Sequence, residues 1–187
     1  MKILMLVGSL RAGSWTGQLV DTVPGLLPDG VEAEVYAGLA DLPHYDQDLD
    51  GDAAPASVVA FRRALLDADA LVVATPEYNG SIPGVLKNAV DWASRPRGAA
   101  PIDGLPAAVL SVSPSPRGAQ WAREDLVKVL RVAGAQPLED ALGVATVHES
   151  VVDGAIADAD VEAALRQLVG RLGAPGRLNV VRPGRPW

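Results

Sequence analysis

The 187-residue chain contains no cysteine. Disulfide bridges, thiolate metal sites, clusters held by cysteine and thiol catalysis are therefore excluded. Histidine is nearly as scarce, because His44 and His148 are the only two and lie far apart in the sequence. A histidine-rich metal centre is not expected, and no metal-binding residue is predicted.

Basic residues are in the minority, and long apolar runs are missing. Lys and Arg number 16 against 23 Asp and Glu, which gives a formal net charge of −7. Nucleic acids and anionic membranes are bound through a basic field, so neither partner is expected. No apolar run approaches the roughly 18 residues that span a bilayer, and the run at residues 3–7 is too short for a signal peptide. These observations predict a cytoplasmic protein.

Aromatic residues make up only 4% of the chain, whereas 49% of the residues are apolar. Ala, Val and Leu must therefore build most of the core. The length suits one domain, and neither an internal repeat nor a linker interrupts it. We predict a single domain at 1–172 and a C-terminal extension at 173–187 that is rich in Gly, Pro and Arg.

Buried strands are indicated at several places along the chain. Continuous apolar runs, typical of strands covered on both faces, lie at Ile3–Val7, Leu71–Ala74 and Leu105–Val112. Val31–Tyr36 alternates apolar and acidic residues, which indicates a strand nearer an edge. One or two short strands are expected within 137–147.

Segments of helical periodicity lie between these strands. The predicted helices are Trp15–Leu27, Ser57–Leu66, Ile82–Trp92, Gln120–Ala133 and Asp158–Leu172. Such alternation implies an α/β protein with a parallel sheet and helices on both faces. Five strands fit the doubly wound order 2-1-3-4-5, in which ligands bind outside the carboxyl ends of the strands.

The loop after the first strand has the composition of an anion site. It runs from Gly8 through Ser-Leu-Arg-Ala-Gly-Ser-Trp to Thr16. Several kinds of donor in this segment suit phosphate oxygens: the backbone amides, the hydroxyls, the start of the following helix and Arg11. It has no P-loop lysine, so an NTPase is disfavoured. A polar turn with a serine cap is the competing interpretation.

The loop after the third strand, residues 75–84, reads Thr-Pro-Glu-Tyr-Asn-Gly-Ser-Ile-Pro-Gly. Its Asn-Gly pair permits positive φ angles, so backbone polar groups can face a cleft. A flat heterocycle would meet these groups at its rim. An Asn-Gly hairpin turn is the alternative, and it is disfavoured here because a helical pattern, not a strand, follows.

Taken together, GSLRAGS and ATPEYNGSIPGVLKNAVDWASRP resemble the NADPH-dependent FMN reductase family. This flavodoxin-like family includes quinone, azo-dye and chromate reductases. The segment DLPHYDQDL at 41–49 also resembles the family's loop after its second strand, and the resemblance spans residues 3–135. It implies a flavodoxin-like fold, FMN as cofactor, NADPH or NADH as co-substrate, and a homodimer or homotetramer.

The resemblance also implies which residues surround FMN. Those implied for the phosphate are Ser9, Arg11, Ser14 and Thr16; for the isoalloxazine ring Pro76, Glu77, Tyr78, Asn79 and Gly80; and for its pyrimidine side Ser113. Hydride transfer from nicotinamide to flavin requires no side-chain acid or base. No catalytic residue is therefore named.

Two features depart from the family's pattern. Thr16 stands where the family usually has Asn, and its hydroxyl has a shorter reach. The loop after the fourth strand is usually glycine-rich but here contains Pro114, Pro116 and Arg117. Arg117 is a candidate to meet a 2′-phosphate or an anionic acceptor, although loop arginines are more often simply solvated. Trp121, just beyond this loop, could shield the flavin, but packing is the expected role.

The leading hypothesis is a reductase that passes electrons from NAD(P)H to free flavin, a quinone or a similar small acceptor, with ping-pong kinetics. A flavodoxin-type electron carrier is one alternative, and direct oxidation of NADPH would separate the two. A family member with altered flavin chemistry is the other, and a protein that retains no flavin would favour it.

Overall fold

The computed structural model describes residues 1–51 and 53–172, so the predicted extension at 173–187 lies outside the described residues. The strands are β1 (Lys2–Val7), β2 (Glu32–Val35), β3 (Ala70–Thr75), β4 (Pro106–Val112), β5 (Gln136–Pro137), β6 (Leu142–Val144), β7 (Val151–Val152) and β8 (Ala155–Ile156). The helices are α1 (Trp15–Asp21), α2 (Ala56–Asp67), α3 (Gly84–Ala93), α4 (Gln120–Val132), α5 (Val147–Ser150) and α6 (Ala159–Gly170).

The main sheet is parallel, and its order is β2-β1-β3-β4-β5, with β6 also paired to β4. This confirms the predicted doubly wound order. The fifth position is divided, because β5 pairs with the start of β4 and β6 with its end. A full-length fifth strand would cover that whole edge, whereas here residues 138–141 separate two short pieces.

Alternation along the central strands produces two apolar layers, one on each face of the sheet. Leu4, Leu6 and Val73 point into the layer shared with α2, α3 and α4. Ile3 and Met5 point into the opposite layer, which α1 and α6 cover. Because successive side chains of a strand face opposite ways, one continuous apolar run fills both layers. This confirms the prediction of strands buried on both faces.

The first helix is shorter than predicted. The sequence indicated a helix over Trp15–Leu27, but α1 ends at Asp21 and a 3₁₀ turn occupies Val23–Leu26. Pro24, at the start of that turn, has no N–H to continue the α-helical ladder. The periodicity continued through the break because the apolar residues of both pieces face the same layer.

A short hairpin near the carboxyl end escaped the sequence analysis. Strands β7 and β8 pair antiparallel around Asp153 and Gly154, whose φ angles are 50° and 78°. Two residues with positive φ make the turn that best suits a right-twisted hairpin, and Asp-Gly is a strong signal for it. The flanking strands have only two residues each, which is too short for visible alternation.

The long loop before α2 is fastened to α3 by Trp92 and Asn88. Trp92 is fully buried, and its Nε1 donates to the Pro43 carbonyl at 2.8 Å. Asn88 donates to the same carbonyl at 2.9 Å and accepts from the Tyr45 amide at 2.8 Å. The Tyr45 ring packs edge-on against the Trp92 indole, with 4.9 Å between the two ring centroids. These contacts hold α3 in place, and α3 in turn supports the loop that precedes it.

Trp92→Leu should lower the free energy of unfolding by about 2–4 kcal/mol, because it removes buried ring volume and the hydrogen bond to Pro43. Urea unfolding followed by circular dichroism measures this loss. Val132→Ala is the matched control, since Val132 is 85% exposed and should change stability by less than about 0.5 kcal/mol. Equal losses in the two variants would refute the anchoring role of Trp92.

Candidate active site

Three loops leave the same edge of the sheet, because the strands that precede them are parallel. Loop 1 (residues 8–14) follows β1, loop 2 (76–83) follows β3, and loop 3 (113–119) follows β4. Loops 1 and 2 meet at Gly8, whose amide donates to the Ala74 carbonyl at 2.8 Å. A Cβ on Gly8 would lie 3.1 Å from Leu86 Cδ2 and 3.2 Å from the Ala74 oxygen, so a larger residue here would force these neighbours to shift by a few tenths of an ångström.

Loop 1 ends in a serine cap. Ser14 Oγ accepts from the Gly17 amide at 3.1 Å, and Ser14 is buried. The hydroxyl hydrogen is still available to donate to a ligand, so the cap and a phosphate contact are compatible. Within the described residues, the amides of Trp15 and Thr16 donate no hydrogen bond. Because α1 has only seven residues, these donors and the loop side chains matter more than a helix dipole.

A cleft of about 260 Å³ opens beside loop 1, toward the end of β2. Ser9, Arg11 and Ser14 are among the residues that line it. Thr16 is not among the lining residues and is almost fully buried. The structure therefore brings together three of the four residues implied for the phosphate.

Arg11 is held over an aromatic ring. Its guanidinium carbon lies 5.8 Å from the centre of the Trp15 ring, and that ring lies 6.3 Å from His148. Such a cation–π contact contributes about 0.5–1 kcal/mol at an exposed position. It leaves the N–H groups at the edge of the guanidinium available to an anion.

Loop 2 contains the hairpin turn that the sequence analysis disfavoured. The Tyr78 and Ser81 amides donate to each other's carbonyls at 3.0 and 3.2 Å, and Asn79 and Gly80 have φ angles of 52° and 77°. The expectation against a hairpin was wrong, because a single bridged pair suffices for this turn. The helical pattern was also real, since α3 begins at Gly84.

Several backbone N–H groups of this turn have no hydrogen-bond partner within the described residues. Within the described part of the chain, the amides of Glu77, Asn79 and Gly80 make no hydrogen bond. Tyr78, in the same turn, is 51% exposed. Loop 2 thus has three unbonded N–H groups and one exposed aromatic ring at the edge of the sheet.

Loop 2 is bonded to the first two turns of α4. Glu77 Oε2 accepts from the Ala122 amide at 3.2 Å, and Ser81 Oγ donates to Asp125 Oδ2 at 2.6 Å. Helix α4 has no side-chain cap from Ala119, which precedes it with φ 54°. Glu77 supplies that cap from 45 positions away, a role invisible in the local sequence.

Loop 3 is closed by serine hydrogen bonds. Ser113 Oγ accepts from the Ser115 amide at 3.0 Å and lies 3.1 Å from Ser115 Oγ. The Ser113 amide donates to the Val144 carbonyl at 3.0 Å, which ties the loop to β6. Ser113 thus lies at the strand end where the resemblance put it, with its hydroxyl already bonded.

Arg123, on α4, is hydrogen-bonded to loop 3 and to β4. The sequence analysis made no prediction for this residue. Its Nη1 donates to Ser111 Oγ at 3.1 Å and to the Gly118 carbonyl at 3.4 Å. A Cβ on Gly143 would overlap this guanidinium, so glycine makes room for it. The available signal was a serine inside the buried β4 strand, because a buried hydroxyl needs partners.

The chain is similar to known proteins over most of its length. Residues 1–149 match the family of NADPH-dependent FMN reductases. This chain belongs to that family. It is 41% identical to an NAD(P)H-dependent FMN reductase of Pseudomonas aeruginosa over 138 residues, which cover 74% of each protein. It is 42% identical over 126 residues to a 2-hydroxy-1,4-benzoquinone reductase of a Burkholderia species, covering 67% of this chain and 68% of the relative.

A solved structure extends the likeness to nearly the whole chain. The flavoenzyme NAD(P)H:(acceptor) oxidoreductase FerB of Paracoccus denitrificans is 35% identical and has a TM-score of 0.81, covering 91% of this chain and 94% of that one. The FMN reductase family member described here is therefore an oxidoreductase with FMN as cofactor and NAD(P)H as co-substrate. The donor set of loops 1 and 2 fits FMN, since it offers a cation, hydroxyls and unbonded amides.

Two further observations concern other kinds of site. Among residues 1–51 and 53–172, no group of three or more acidic or histidine side chains is arranged to hold a metal ion. In the same residues, every helix is too short or too polar to cross a membrane.

The contact between loop 2 and α4 changes the titration of Asp125. Hydrogen bonds from Lys128 and Ser81, together with the charges of Lys128 and Lys87, hold the pKa of the Asp125 carboxyl below its ordinary value. A carboxylate with a depressed folded-state pKa stabilises the fold fully above its unfolded-state pKa of about 3.9. That contribution is lost as the pH falls through the lower folded-state pKa.

Ser81→Ala should raise the pKa of Asp125, because it removes one of the two hydrogen bonds to the carboxylate. An NMR titration of the Asp125 carboxyl carbon measures the shift directly. The stability that Asp125 adds over Asp125→Asn should also be complete above about pH 5 and be lost as the pH falls through the lowered folded-state pKa of the carboxyl. An unchanged titration in Ser81→Ala would show that the contact in the structure is not maintained in solution.

Proposed function

We propose that this family member reduces quinones or free flavin with electrons from NAD(P)H, and that loops 1, 2 and 3 hold its FMN. The observation that carries the proposal is the set of unbonded donors that loops 1 and 2 present at one edge of the sheet. The quinone and flavin acceptors are supported by the names of the Burkholderia and Pseudomonas relatives.

Loop 1 holds the phosphate group in this proposal. Arg11 supplies the charge, and the hydroxyls of Ser9 and Ser14 donate beside it. Thr16 contributes through its unbonded backbone amide, because its side chain is buried away from the cleft. In this proposal the Thr16 side chain does not take the place of the family's usual Asn side chain.

Loop 2 and loop 3 hold the isoalloxazine ring. The amides of Glu77, Asn79 and Gly80 donate to its polar rim, while Pro76 and Tyr78 provide apolar surface beside it. Ser113 lies on the pyrimidine side, and its hydroxyl would exchange its bond to Ser115 for one to the ring. Glu77 also keeps loop 2 fixed against α4, which preorganises the three amides.

When bound, FMN supplies the redox chemistry: it takes a hydride from the nicotinamide and passes electrons to the acceptor in a second half-reaction. The chain's own work is to bind, orient and exclude water. No side chain has to move a proton in the first half-reaction, so no catalytic acid or base is assigned. Use of one binding face in turn by nicotinamide and acceptor gives ping-pong kinetics.

The test is an anaerobic spectrum of the FMN-supplemented protein before and after NADPH, followed by addition of a quinone. We expect the visible flavin bands to bleach with NADPH and to return with the quinone, and initial rates at several fixed quinone concentrations to give parallel double-reciprocal lines. Intersecting lines would refute the ping-pong order. Bands that persist with both NADPH and NADH would refute the reductase function.

Arg11→Ala should weaken FMN binding about 10- to 100-fold, as expected for loss of a charge-assisted hydrogen bond to phosphate. Riboflavin, which lacks the phosphate, should bind almost as it does to the unchanged protein. Fluorescence titration of the apoprotein with each flavin measures both affinities. Arg131→Ala, on the exposed last turn of α4, is the matched control. Equal losses for the two flavins would remove Arg11 from the phosphate site.

A further inference from the structure

Arg117 of loop 3 and Trp121 in the first turn of α4 form an exposed pair beside loop 2. The guanidinium carbon of Arg117 lies 5.2 Å from the centre of the Trp121 ring, within cation–π range. Trp121 is 54% exposed, and its Cε3 lies 3.5 Å from where a Cβ would stand on Gly80. Packing was the expected role of Trp121. Instead, the indole covers one glycine of the flavin-facing turn and carries a cation.

The charge of Arg117 is not neutralised. In residues 1–51 and 53–172, no carboxylate lies within ion-pair distance of its guanidinium. The acidic side chains that belong to or contact α4 are already bonded: Glu77 to the Ala122 amide, Glu124 to Gln120, and Asp125 to Ser81 and Lys128. Stacking occupies only the flat face of a guanidinium, so its edge N–H groups stay available for oxygen atoms of an anion.

Contacts within loop 3 restrain the backbone that carries Arg117. Pro114 and Pro116 restrict the backbone on either side of Ser115, whose amide is bonded to Ser113 Oγ. Gly118, next to Arg117, has φ 58°, and its carbonyl accepts from Ser111 Oγ at 2.6 Å. A ligand that binds a preorganised group loses less conformational entropy than one that must order a mobile side chain.

We propose that Arg117 and Trp121 form a subsite that selects planar acceptors bearing a negative charge. The exposed part of the indole contacts the ring of the acceptor, and the guanidinium edge binds a sulfonate, carboxylate or ionised hydroxyl oxygen. The net charge of −7 repels anions in general. Arg117, whose charge is not neutralised, gives an anionic acceptor one favoured position beside loops 2 and 3. This inference rests on the proposed reductase function and names the substrate class for the same site.

The first test compares two quinones, 1,4-naphthoquinone-2-sulfonate and the neutral 2-methyl-1,4-naphthoquinone. Arg117→Gln should lower kcat/KM for the sulfonate roughly fivefold, the scale of one exposed ionic contact, and leave the neutral quinone within about twofold. The difference should shrink at high salt, because exposed charges are screened. Arg117→Lys should retain part of the preference, and Arg131→Gln, on the exposed last turn of α4, should retain all of it. Equal losses for both quinones in Arg117→Gln would overturn the proposal.

The second test measures binding without turnover. Naphthalene-2-sulfonate and the neutral naphthalene-2-sulfonamide are titrated into the oxidised FMN-loaded protein, with tryptophan fluorescence as the readout. The unchanged protein should bind the sulfonate more tightly, and Arg117→Gln should abolish that difference. Trp121→Leu should weaken both compounds. Equal affinities for the two compounds in the unchanged protein would refute the subsite.

A third comparison separates the subsite from two other outcomes. If Arg117→Gln lowers kcat/KM for NADPH but not for NADH, the arginine binds the 2′-phosphate of the nicotinamide nucleotide and the acceptor proposal is wrong. If the unchanged protein reduces neither quinone but still shows the anion preference in binding, the proposed function fails while the subsite stands. The two hypotheses are thereby tested independently.

Discussion

Burial of the central strands on both faces is the constraint from which the rest of this structure follows. Most side chains of β1, β3 and β4 pack into the two apolar layers. Most of the polar groups that can meet a ligand are therefore in the loops where these strands end. Because the strands are parallel, all three loops emerge at one edge of the sheet.

Hydrogen bonds between distant segments then hold the loops in position. Glu77 and Ser81 bond loop 2 to α4, and Arg123 bonds α4 back to loop 3. Each bond adds only about 1 kcal/mol to stability. Their larger effect is to fix the direction of the backbone amides before any ligand arrives, which lowers the entropy lost on binding.

Local positive charges on this protein differ in sign from its net charge. The chain carries a net charge of −7, yet two arginines of its loops are each placed on an indole, Arg11 on Trp15 and Arg117 on Trp121. A guanidinium held on an aromatic ring keeps its edge donors pointing away from that ring. An acidic protein can in this way present defined anion positions at one edge of its sheet.

The sequence by itself determined the alternation of elements, the strand order and the family. Continuous apolar runs such as Ile3–Val7 report burial on both faces, and the PEYNGSIPG segment is specific enough to identify the FMN reductases. The Asn-Gly pair was also correctly interpreted as a positive-φ turn. These properties are encoded over short stretches of chain, where local pattern and backbone preference decide the outcome.

Only the tertiary structure decided which partners the site residues have. Glu77 became the cap of α4, Thr16 turned away from the cleft, and Arg123 came to lie under loop 3. The exposure of Trp121 was likewise absent from the local pattern. Each depends on groups many positions apart that meet only after the sheet has formed, and a single sequence carries no record of such contacts.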